Sequence, residues 1–444
     1  MPPEPSIDWD AVSREAVELL SEYIRIDTVN PPGNEIRACE WLARILERED
    51  IPYRLVGPDE ERTSLVATLE GDGSRGDALI LLNHTDVVPF ESERWTVEPL
   101  GGQVRDGYVW GRGTQDMKGM GVMELMTFLL HRRLSLPLRR SLTFMAVADE
   151  ETGGAHGVEF LDREHPQLLD ADFVINEGAA GSTELYGTRR PVFNIGVSEK
   201  GPLWLTLICR GRAGHGSVPH DDSASDRLVR ALARIAEWER PLEAAPEVLE
   251  HFRQLHRAGL IEQPTDRLLR TLAEEHPQVK SMLTNSVALT TLRAGSKHNV
   301  IPAQAEATLD CRLTPRYDAE RFIEELREVI DDADVQIEQT FSSSTSPSPL
   351  DSELYEAMTR AASEVVEDVV VVPSVSTGFT DSRVFRRRGI AAYGFMPALL
   401  GPDEAGLVHG TDERISIENV LLGTRILHAT VRAVCGEPVH VVRA

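Results

Sequence analysis

The apolar positions in the first half of the chain alternate between two spacings. Apolar residues recur at helical spacing in three segments, residues 8–26, 35–49 and 119–134. Among these helices lie short, nearly continuous apolar runs with the length of strands buried on both faces, residues 64–69, 78–82, 141–148 and 172–176. This alternation predicts an α/β fold in which helices cover a mostly parallel sheet.

A different order of elements begins near Gly196. Six segments follow one another as strand, helix, strand, strand, helix and strand: residues 203–209, 225–238, 287–292, 306–313, 319–330 and 335–340. This is the order of a ferredoxin-like α+β unit, which can fold by itself. A polar segment, residues 241–279, interrupts the unit after its first helix and is predicted to be helical.

The chain leaves this unit through a Ser- and Pro-rich stretch, residues 342–349, which is typical of a linker. A helix is predicted over residues 350–366, and the remainder is expected to rejoin the first sheet. We therefore expect a discontinuous first domain, residues 1–196 and 341–444, with a second domain, residues 197–340, inserted into it.

The charge of the chain limits its partners. The formal net charge is -26, which would repel nucleic acid and anionic membranes, so neither is expected to bind. No apolar run approaches the roughly 18 residues that a membrane span needs, and the acidic, Pro-rich N-terminal stretch shows no secretory signal. The four cysteines are scattered and form no CxxC pair, which favours a cytoplasmic protein without disulfides.

The first candidate for chemistry follows the apolar run 78–82. His84 and Asp86 stand just past its carboxyl end, where ligands bind in open α/β sheets. Two residues apart on an extended chain, they point the same way, so Asp86 can fix the imidazole tautomer of His84 or share its metal ion. A satisfied pair at a strand end is the alternative, and further ligands would decide between the two.

Four more acidic residues lie beside predicted elements of this sheet. Asp116 comes just before a helix, Glu150 and Glu151 follow one apolar strand, and Glu177 follows another. Asp116 could instead be an N-cap, and the glutamates could be solvated loop residues. At one edge of a sheet, however, these carboxylates would repel one another unless a cation were bound among them.

Carboxylates together with imidazole suit a divalent ion such as zinc, manganese or cobalt. One histidine is not enough for two roughly tetrahedral sites. His409, in the segment LVHGTDE, is the candidate for the second imidazole ligand.

The motifs occur in an order that resembles a known family. They are HTD, GRGxxDMKG, DEExGG, NEG, GHGSVP, KHNVIPAxAxxxxDCR, GFTDSR and a late HGxDE. This set is similar to that of the dinuclear zinc metallopeptidases, which include glutamate carboxypeptidase, aminoacylase, succinyl-diaminopimelate desuccinylase and related dipeptidases. The resemblance covers nearly the whole chain. It implies a zinc-peptidase-like catalytic domain, residues 1–196 and 341–444, and an inserted lid and dimerisation domain, residues 197–340.

The resemblance also implies a role for each candidate residue. Asp86 would orient His84, Glu150 would be the general base, and the peptide bond between Asp116 and Met117 would be cis. Two ions, most simply Zn²⁺, with Co²⁺ or Mn²⁺ as alternatives, would be bridged by Asp116, with His84 and Glu177 completing one site and Glu151 and His409 the other.

The mechanism implied by the resemblance is the hydrolysis of an amide bond by a water shared between the two ions. Glu150 would take the proton of this water and pass it to the leaving nitrogen. A further donor to the oxyanion would be His215, in GRAGHGSVP, supplied by the partner subunit of a homodimer that forms through the lid domain.

Four residues are expected to contact the substrate. By resemblance, Asn299 would hold the scissile carbonyl and Arg312 would bind the substrate's carboxylate, while Gly378 and Thr380 in GFTDSR would line the site. From the residues alone, Asn299 could instead stabilise a turn, and Arg312 could pair with Asp310.

The expected substrates are N-acyl-L-amino acids or small peptides cleaved at their C-terminal residue. A dipeptidase or an N-carbamoyl amino acid hydrolase could use the same site, because the fold does not separate these activities. Relatives often carry a second glycine where this chain has Phe379, and the bulky ring suggests a hydrophobic acyl group. A noncatalytic binding protein is the remaining alternative, and retention of all five ligands and of Glu150 argues against it.

Overall fold

A computed structural model of the chain describes residues 6–436. The beginning of the acidic N-terminal stretch, residues 1–5, and the end of the predicted first domain, residues 437–444, lie outside the described residues. The strands, in chain order, are β1 (Tyr53–Val56), β2 (Ser64–Leu69), β3 (Ala78–His84), β4 (Gln103–Arg105), β5 (Tyr108–Trp110), β6 (Ser141–Val147), β7 (Phe173–Ser182), β8 (Val192–Glu199), β9 (Gly201–Arg210), β10 (Gly214–His215), β11 (Ser286–Ala294), β12 (Val300–Ile301), β13 (Gln304–Leu313), β14 (Val335–Ser342), β15 (Val370–Ser376), β16 (Ala391–Leu400) and β17 (Arg414–Ser416).

The helices connect and cover these strands, and several begin at a residue whose side chain caps the first turn, as Ser352 and Ser416 do. In chain order they are α1 (Trp9–Ile24), α2 (Ile36–Arg48), α3 (Lys118–Arg133), α4 (Val158–Glu164), α5 (Ala224–Glu237), α6 (Pro246–Arg257), α7 (Asp266–Glu275), α8 (Pro277–Leu283), α9 (Ala319–Ile330), α10 (Glu353–Val365), α11 (Ser382–Arg387) and α12 (Ile417–Cys435). Among the described residues, we find no helix with the length and apolar character of a membrane span.

The larger sheet has eight strands in the order β1-β2-β6-β3-β7-β16-β8-β15. Its centre, β6-β3-β7-β16, is parallel, and β8 and β15 also run parallel to each other. The predicted α/β fold with a mostly parallel sheet is confirmed. Consecutive residues of β3 enter different cores: Leu79 and Leu81 pack with the core of α1, α2, α3, α10 and α12, while Ile80 and Leu82 pack with that of α4 and α11.

The smaller sheet has four antiparallel strands in the order β11-β13-β9-β14. Helices α5 and α9 cover one face of it, and the alternate residues of β9 and β13 form its core with them. The strand and helix order is that of the predicted ferredoxin-like unit.

The insertion within this unit is helical, as its sequence predicts, and forms α6, α7 and α8. Its apolar stripe packs on the larger sheet: Val248 and Phe252 of α6 share a core with Val370 and Val372 of β15. His251 fixes the contact through Nδ1, which lies 2.9 Å from the carbonyl oxygen of Pro373. The insertion thereby closes the β15 end of the larger sheet.

The predicted junction between residues 196 and 197 falls inside β8. This strand stays in the larger sheet until Glu199, because Ser198 and Glu199 pair with Val375 and Ser376 of β15. Lys200 follows at once, is buried, and donates from Nζ to the carbonyl oxygen of Thr284 at 2.9 Å. The division of the chain into two domains stays a prediction, to which the two separate sheets give support.

Candidate metal centre and active site

The five predicted ligands meet at the carboxyl ends of the parallel strands. β3 ends at His84, its neighbour β6 leads into the loop of Glu151, and its other neighbour β7 carries Glu177. Asp116 lies two residues before the start of α3, and His409 lies between β16 and β17. Parallel strands bring their carboxyl ends to one edge, which is why residues so distant in sequence become neighbours.

Asp116 lies between the two histidines. Its Oδ1 is 3.1 Å from Nε2 of His84, and its Oδ2 is 2.9 Å from Nε2 of His409. Oε1 of Glu177 is 3.4 Å from Nε2 of His84, and Oε2 of Glu151 is 3.3 Å from Nε2 of His409. The donor atoms therefore form two groups that share Asp116, and within each group they lie within 4.8 Å of one another.

The buried side chain of His84 is oriented by Asp86 in two ways. Nδ1 lies 3.0 Å from the backbone carbonyl oxygen of Asp86 and 3.5 Å from its carboxylate Oδ1. Acceptors on this side place a proton on Nδ1 and leave Nε2 free to act as a ligand. The Asp86 carboxylate also accepts the backbone N–H groups of Glu150 at 3.2 Å and Glu151 at 3.1 Å, so it fixes the neighbouring loop as well.

Glu413 holds the loop of Asp116, a role that the sequence did not indicate. Its buried carboxylate accepts the backbone N–H groups of Gln115 at 2.7 Å and Asp116 at 3.2 Å, and it pairs with the guanidinium of Arg112 at 2.6 Å. The Asp116–Met117 peptide bond is cis, as the resemblance implies. The one signal in the sequence is the place of Glu413 at the end of the motif that begins with His409.

The loop that carries Glu150 is fixed by the residue before it. Asp149 adopts a left-handed conformation with φ of 70°, and its buried carboxylate accepts hydrogen bonds from Asn30 at 3.1 Å and from the backbone N–H of His156 at 2.9 Å. Arg62 donates to the same carboxylate. No hydrogen bond within residues 6–436 engages the carboxylate of Glu150, which leaves it able to exchange a proton with a bound molecule.

The electrostatics of the centre fit bound cations. Burial, with a contribution from Asp116, raises the pKa of Glu177 to about 8. Burial also raises the pKa of Glu150 well above its usual range, and Glu177 adds to the effect. Hydrogen bonds to Asp116 and Glu151 raise the pKa of His409 to about 10. Burial is the larger cause for the two glutamates and neighbouring carboxylates add to it; divalent ions at the same oxygens would offset both effects.

The donor set supports the same conclusion. Oε1 of Glu151 is buried and has no hydrogen-bond partner in the described part of the chain, although a buried carboxylate oxygen normally has one. Carboxylate oxygens and imidazole nitrogens are the ligands that divalent ions such as zinc prefer in tetrahedral sites. The residues present therefore fit two divalent ions that share Asp116.

The two predicted substrate residues after β15 differ in their surroundings. Gly378 is exposed. Thr380 is buried, and its backbone N–H and its hydroxyl donate to the carboxylate of Glu199 at 2.9 and 3.0 Å. Since this hydroxyl is engaged inside the protein, a substrate contact by Thr380 stays a prediction. The next residue, Asp381, is buried, which raises its pKa to about 7 even though Arg383 lowers it.

His215 and Asn299 lie side by side on a two-stranded sheet. β10, which ends at His215, pairs with β12, and the carbonyl oxygen of Asn299 accepts the backbone N–H of Gly216 at 2.8 Å. His215 is exposed, and its Nδ1 is 2.7 Å from the hydroxyl of Ser217. Within the described residues, no hydrogen bond or ion pair joins His215 or Asn299 to the five predicted ligands, and the roles of both residues stay predictions.

Arg312 forms the ion pair with Asp310 that the sequence left open. Its Nε and Nη2 donate to the two carboxylate oxygens of Asp310 at 2.8 and 2.9 Å. Its guanidinium carbon also lies 4.9 Å from the centre of the Phe379 ring, which belongs to the loop after β15 of the larger sheet. Arg312, a predicted substrate residue on the smaller sheet, therefore contacts the loop after β15.

A mostly parallel sheet that gathers histidine and carboxylate ligands at its carboxyl edge is the arrangement of a metallohydrolase. The sequence matches Peptidase family M20/M25/M40 over residues 80–433, and the chain belongs to this family of hydrolases. The resemblance drawn from the motifs is thereby confirmed.

Relatives of known name share most of the chain. It is 32% identical over 437 residues to the N-fatty-acyl-amino acid synthase/hydrolase PM20D1 of Xenopus tropicalis, with 92% of this chain and 84% of that protein covered. It is 29% identical over 434 residues to aminoacylase-1 of Sus scrofa, with 95% and 96% covered.

The fold is also that of a solved structure, the M20 family metallo-carboxypeptidase Sso-CP2 from Sulfolobus solfataricus. The TM-score is 0.75 at 18% identity, and the match covers 95% of this chain and 99% of that one. At this identity the likeness concerns the fold. It agrees with the expected two-domain zinc-peptidase-like architecture.

Proposed function

We propose that the chain is a dinuclear metal-dependent amidohydrolase that cleaves N-acyl-L-amino acids or the C-terminal residue of small peptides. The observation that carries the proposal is the pair of donor groups that share Asp116, with the unengaged carboxylate of Glu150 one residue from the ligand Glu151. Two relatives, an aminoacylase and an N-fatty-acyl-amino acid synthase/hydrolase, favour N-acyl amino acids among the possible substrates.

His84 and Glu177 would hold one ion, Glu151 and His409 the other, and Asp116 both. Zn²⁺ is the first choice for this donor set, with Co²⁺ and Mn²⁺ as alternatives. When bound, such a pair of ions polarises the substrate carbonyl and lowers the pKa of water.

Glu150 would act as the general base. Its side chain lies beside the ligands, and its backbone is held by Asp86. It would accept a proton from the attacking water and then deliver that proton to the leaving amide nitrogen, which makes the amine a good leaving group. Asp86 would serve the same reaction by keeping the ligand nitrogen of His84 unprotonated.

Four residues outside the metal centre would bind the substrate. Asn299 would hold the scissile carbonyl and Arg312 the free carboxylate of the amino acid, with Gly378 and Thr380 lining the site. The guanidinium of Arg312 supports this assignment, because it can bind a carboxylate through two N–H groups.

His215 would stabilise the oxyanion from the partner subunit of a homodimer formed through the smaller domain. Two observations support this. His215 is exposed, and no hydrogen bond or ion pair within residues 6–436 joins it to the proposed ligands. Among residues 6–436, the end strand β11 is paired on one side only, and its Leu289 and Leu292 are 51% and 55% exposed, as expected of a surface that a second copy could cover.

We also propose a cytoplasmic location. All four cysteines, Cys39, Cys209, Cys311 and Cys435, are free and buried, as is usual for proteins that fold in a reducing compartment.

A hydrolysis screen tests the proposed function. The purified protein is assayed with N-acetyl, N-aromatic-acyl, N-succinyl and N-carbamoyl amino acids and with dipeptides, with zinc, manganese and cobalt each added. We expect N-acyl amino acids to be cleaved faster than dipeptides and N-carbamoyl compounds. Fewer than one ion per chain after zinc reconstitution, together with no amidase activity, would refute the enzyme and favour a noncatalytic binding protein.

A further inference from the structure

Phe379 connects the two sheets of the molecule. It lies in the loop after β15, which belongs to the larger sheet, and its half-buried ring contacts two guanidinium groups. Arg312, from β13 of the smaller sheet, has its guanidinium carbon 4.9 Å from the ring centre. Arg383, from α11 on the larger sheet, has its guanidinium carbon 5.1 Å from the same point. Both distances are those of cation–π contacts.

Aromatic residues of the smaller sheet enclose the same ring. The rings of Trp204 and Phe341 lie 6.3 and 6.0 Å from that of Phe379 and 4.9 Å from each other. Trp204 stands opposite Asp310 in the β9–β13 register, so it flanks the carboxylate that pairs with Arg312. Phe379 therefore fills an aromatic pocket on the face of the smaller sheet that α5 and α9 leave uncovered.

Two contacts fix the guanidinium of Arg312 and leave part of it available. Asp310 takes the Nε and Nη2 edge through two hydrogen bonds, and the Phe379 ring packs on one face. Nη1 donates to no residue within 6–436. The side chain is 22% exposed, so this remaining edge can reach a ligand from solvent. A guanidinium held in place with a free edge suits the recognition of a carboxylate.

Through Arg383, the Phe379 ring is also connected to the loop of the proposed base. Arg383 is buried, and its Nη2 donates to the carbonyl oxygen of Gly153 at 2.7 Å. Gly153 ends the turn that begins with Glu150 and Glu151. The series of contacts runs from this turn through Arg383 and Phe379 to Arg312, and so joins the proposed base to the proposed carboxylate site across the two sheets.

We propose that Phe379 is a positioning residue that sets the location of Arg312 for the carboxylate of the substrate. The ring holds the guanidinium at a fixed distance from the turn of Glu150, so that a substrate bound by its carboxylate presents its amide bond to the base. The proposal rests on the proposed function of this site, because it takes Arg312 as the carboxylate-binding residue. It assigns to Phe379 a role in recognising the free carboxylate, which a glycine at this position could not perform.

Binding without turnover tests the proposal. The background is the zinc-reconstituted Glu150→Ala protein, and the probes are N-acetyl-L-phenylalanine and its carboxamide, N-acetyl-L-phenylalaninamide, each titrated by calorimetry. The protein that retains Phe379 is expected to bind the acid more tightly than the amide. Phe379→Leu removes the aromatic face but keeps an apolar side chain. This variant is expected to bind the acid with roughly tenfold lower affinity, because a partly desolvated cation–π contact is lost. Binding of the amide should not change.

Matched variants separate positioning from a merely structural role. Phe379→Tyr keeps the ring and should bind the acid as before. Arg312→Met should remove the difference between acid and amide, and Phe379→Leu added to Arg312→Met should have no further effect. Phe379→Met replaces Phe379→Leu if thermal melting shows that the leucine variant does not fold.

Three results would overturn the proposal: equal binding of acid and amide by the parent protein, equal weakening of both probes in the variant without the ring, or a further loss in the Arg312→Met background. Failure of the proposed function is seen separately, as an absence of hydrolysis by the protein with Glu150 intact. Preferential binding of the acid that depends on Phe379 would support the carboxylate site even in that case.

Discussion

Glu413 accepts the backbone N–H of Asp116 at 3.2 Å, although 297 residues separate the two in sequence. The same carboxylate accepts the backbone N–H of Gln115 and pairs with Arg112, so that the loop of the proposed bridging ligand is tied to the loop of His409. A ligand that is shared between two ions has to be placed correctly for both. Glu413 provides that placement from outside the ligand set.

Replacement of Glu413 by Gln is expected to weaken metal binding. The amide keeps one acceptor oxygen but loses the charge that pairs with Arg112, and partners of this kind contribute about 10- to 100-fold to metal affinity. Zinc affinity measured by competition with a chelator checks this, with thermal melting to confirm folding. The exposed Glu418→Gln on the neighbouring helix α12 is the control. Equal zinc affinity in both variants would show that Glu413 does not position the ligand.

Glu150→Ala should retain metal and lose activity. The carboxylate is not among the five proposed ligands, so two ions per chain are expected by elemental analysis. Loss of a general base should lower kcat by about 10²- to 10⁴-fold. The exposed Glu93→Ala should keep the full rate. If Glu150→Ala kept most of its rate, the base would be another residue.

His215 can be tested by mixing two inactive proteins. If it acts in the partner's site, a dimer of one His215→Ala chain and one Glu150→Ala chain contains one site with both residues intact. Mixing should then restore part of the activity. No recovery, with exchange of subunits demonstrated by differently tagged chains, would place His215 in the site of its own chain.

Two buried histidines should make stability depend on pH. Burial lowers the pKa of His131 to about 4, and burial together with His131 lowers the pKa of His428 to about 3; their rings are 4.8 Å apart. Since both pKa values lie below the ordinary 6.5, unfolding takes up protons, and stability present above pH 6.5 is lost as the pH falls through the folded values.

His428→Phe should therefore lose less stability on acidification. Between pH 6.5 and pH 4, its free energy of unfolding should fall by roughly 2 to 3 kcal/mol less than that of the parent protein. Urea unfolding at several pH values measures the difference. The exposed His256→Gln should follow the parent. A parallel decline in His428→Phe would mean that this histidine is not held neutral in the folded chain.

The parts that sequence could predict are those with a local signal. The run 78–82 is apolar on both faces of a strand, and β3 is indeed buried along its whole length between two layers of helices. The polar residues Asn83 and His84 end this strand, so His84 stands at the sheet edge. Pattern and motif order therefore predicted which side chains come together at this edge, and their role as metal ligands stays a proposal.

The parts that sequence could not predict depend on contacts between distant segments. The motif that begins with His409 ends at Glu413, but it does not indicate that Glu413 accepts the backbone N–H of Asp116. The polar insertion could not be assigned to β15, because an amphipathic helix such as α6 does not specify which apolar surface it covers. The two readings of Arg312, ion pair or substrate contact, are not exclusive, since Asp310 occupies only one edge of the guanidinium.

The end strand β11 has a consequence for how the protein behaves in dilute solution. In the described part of the chain, no strand pairs with its outer edge, and two leucines are exposed along it. If a second copy covers this strand, separation of the subunits exposes an unpaired strand edge that can pair with other chains. The same separation removes His215 from the neighbouring site. Loss of turnover and the onset of aggregation would then begin at one and the same protein concentration.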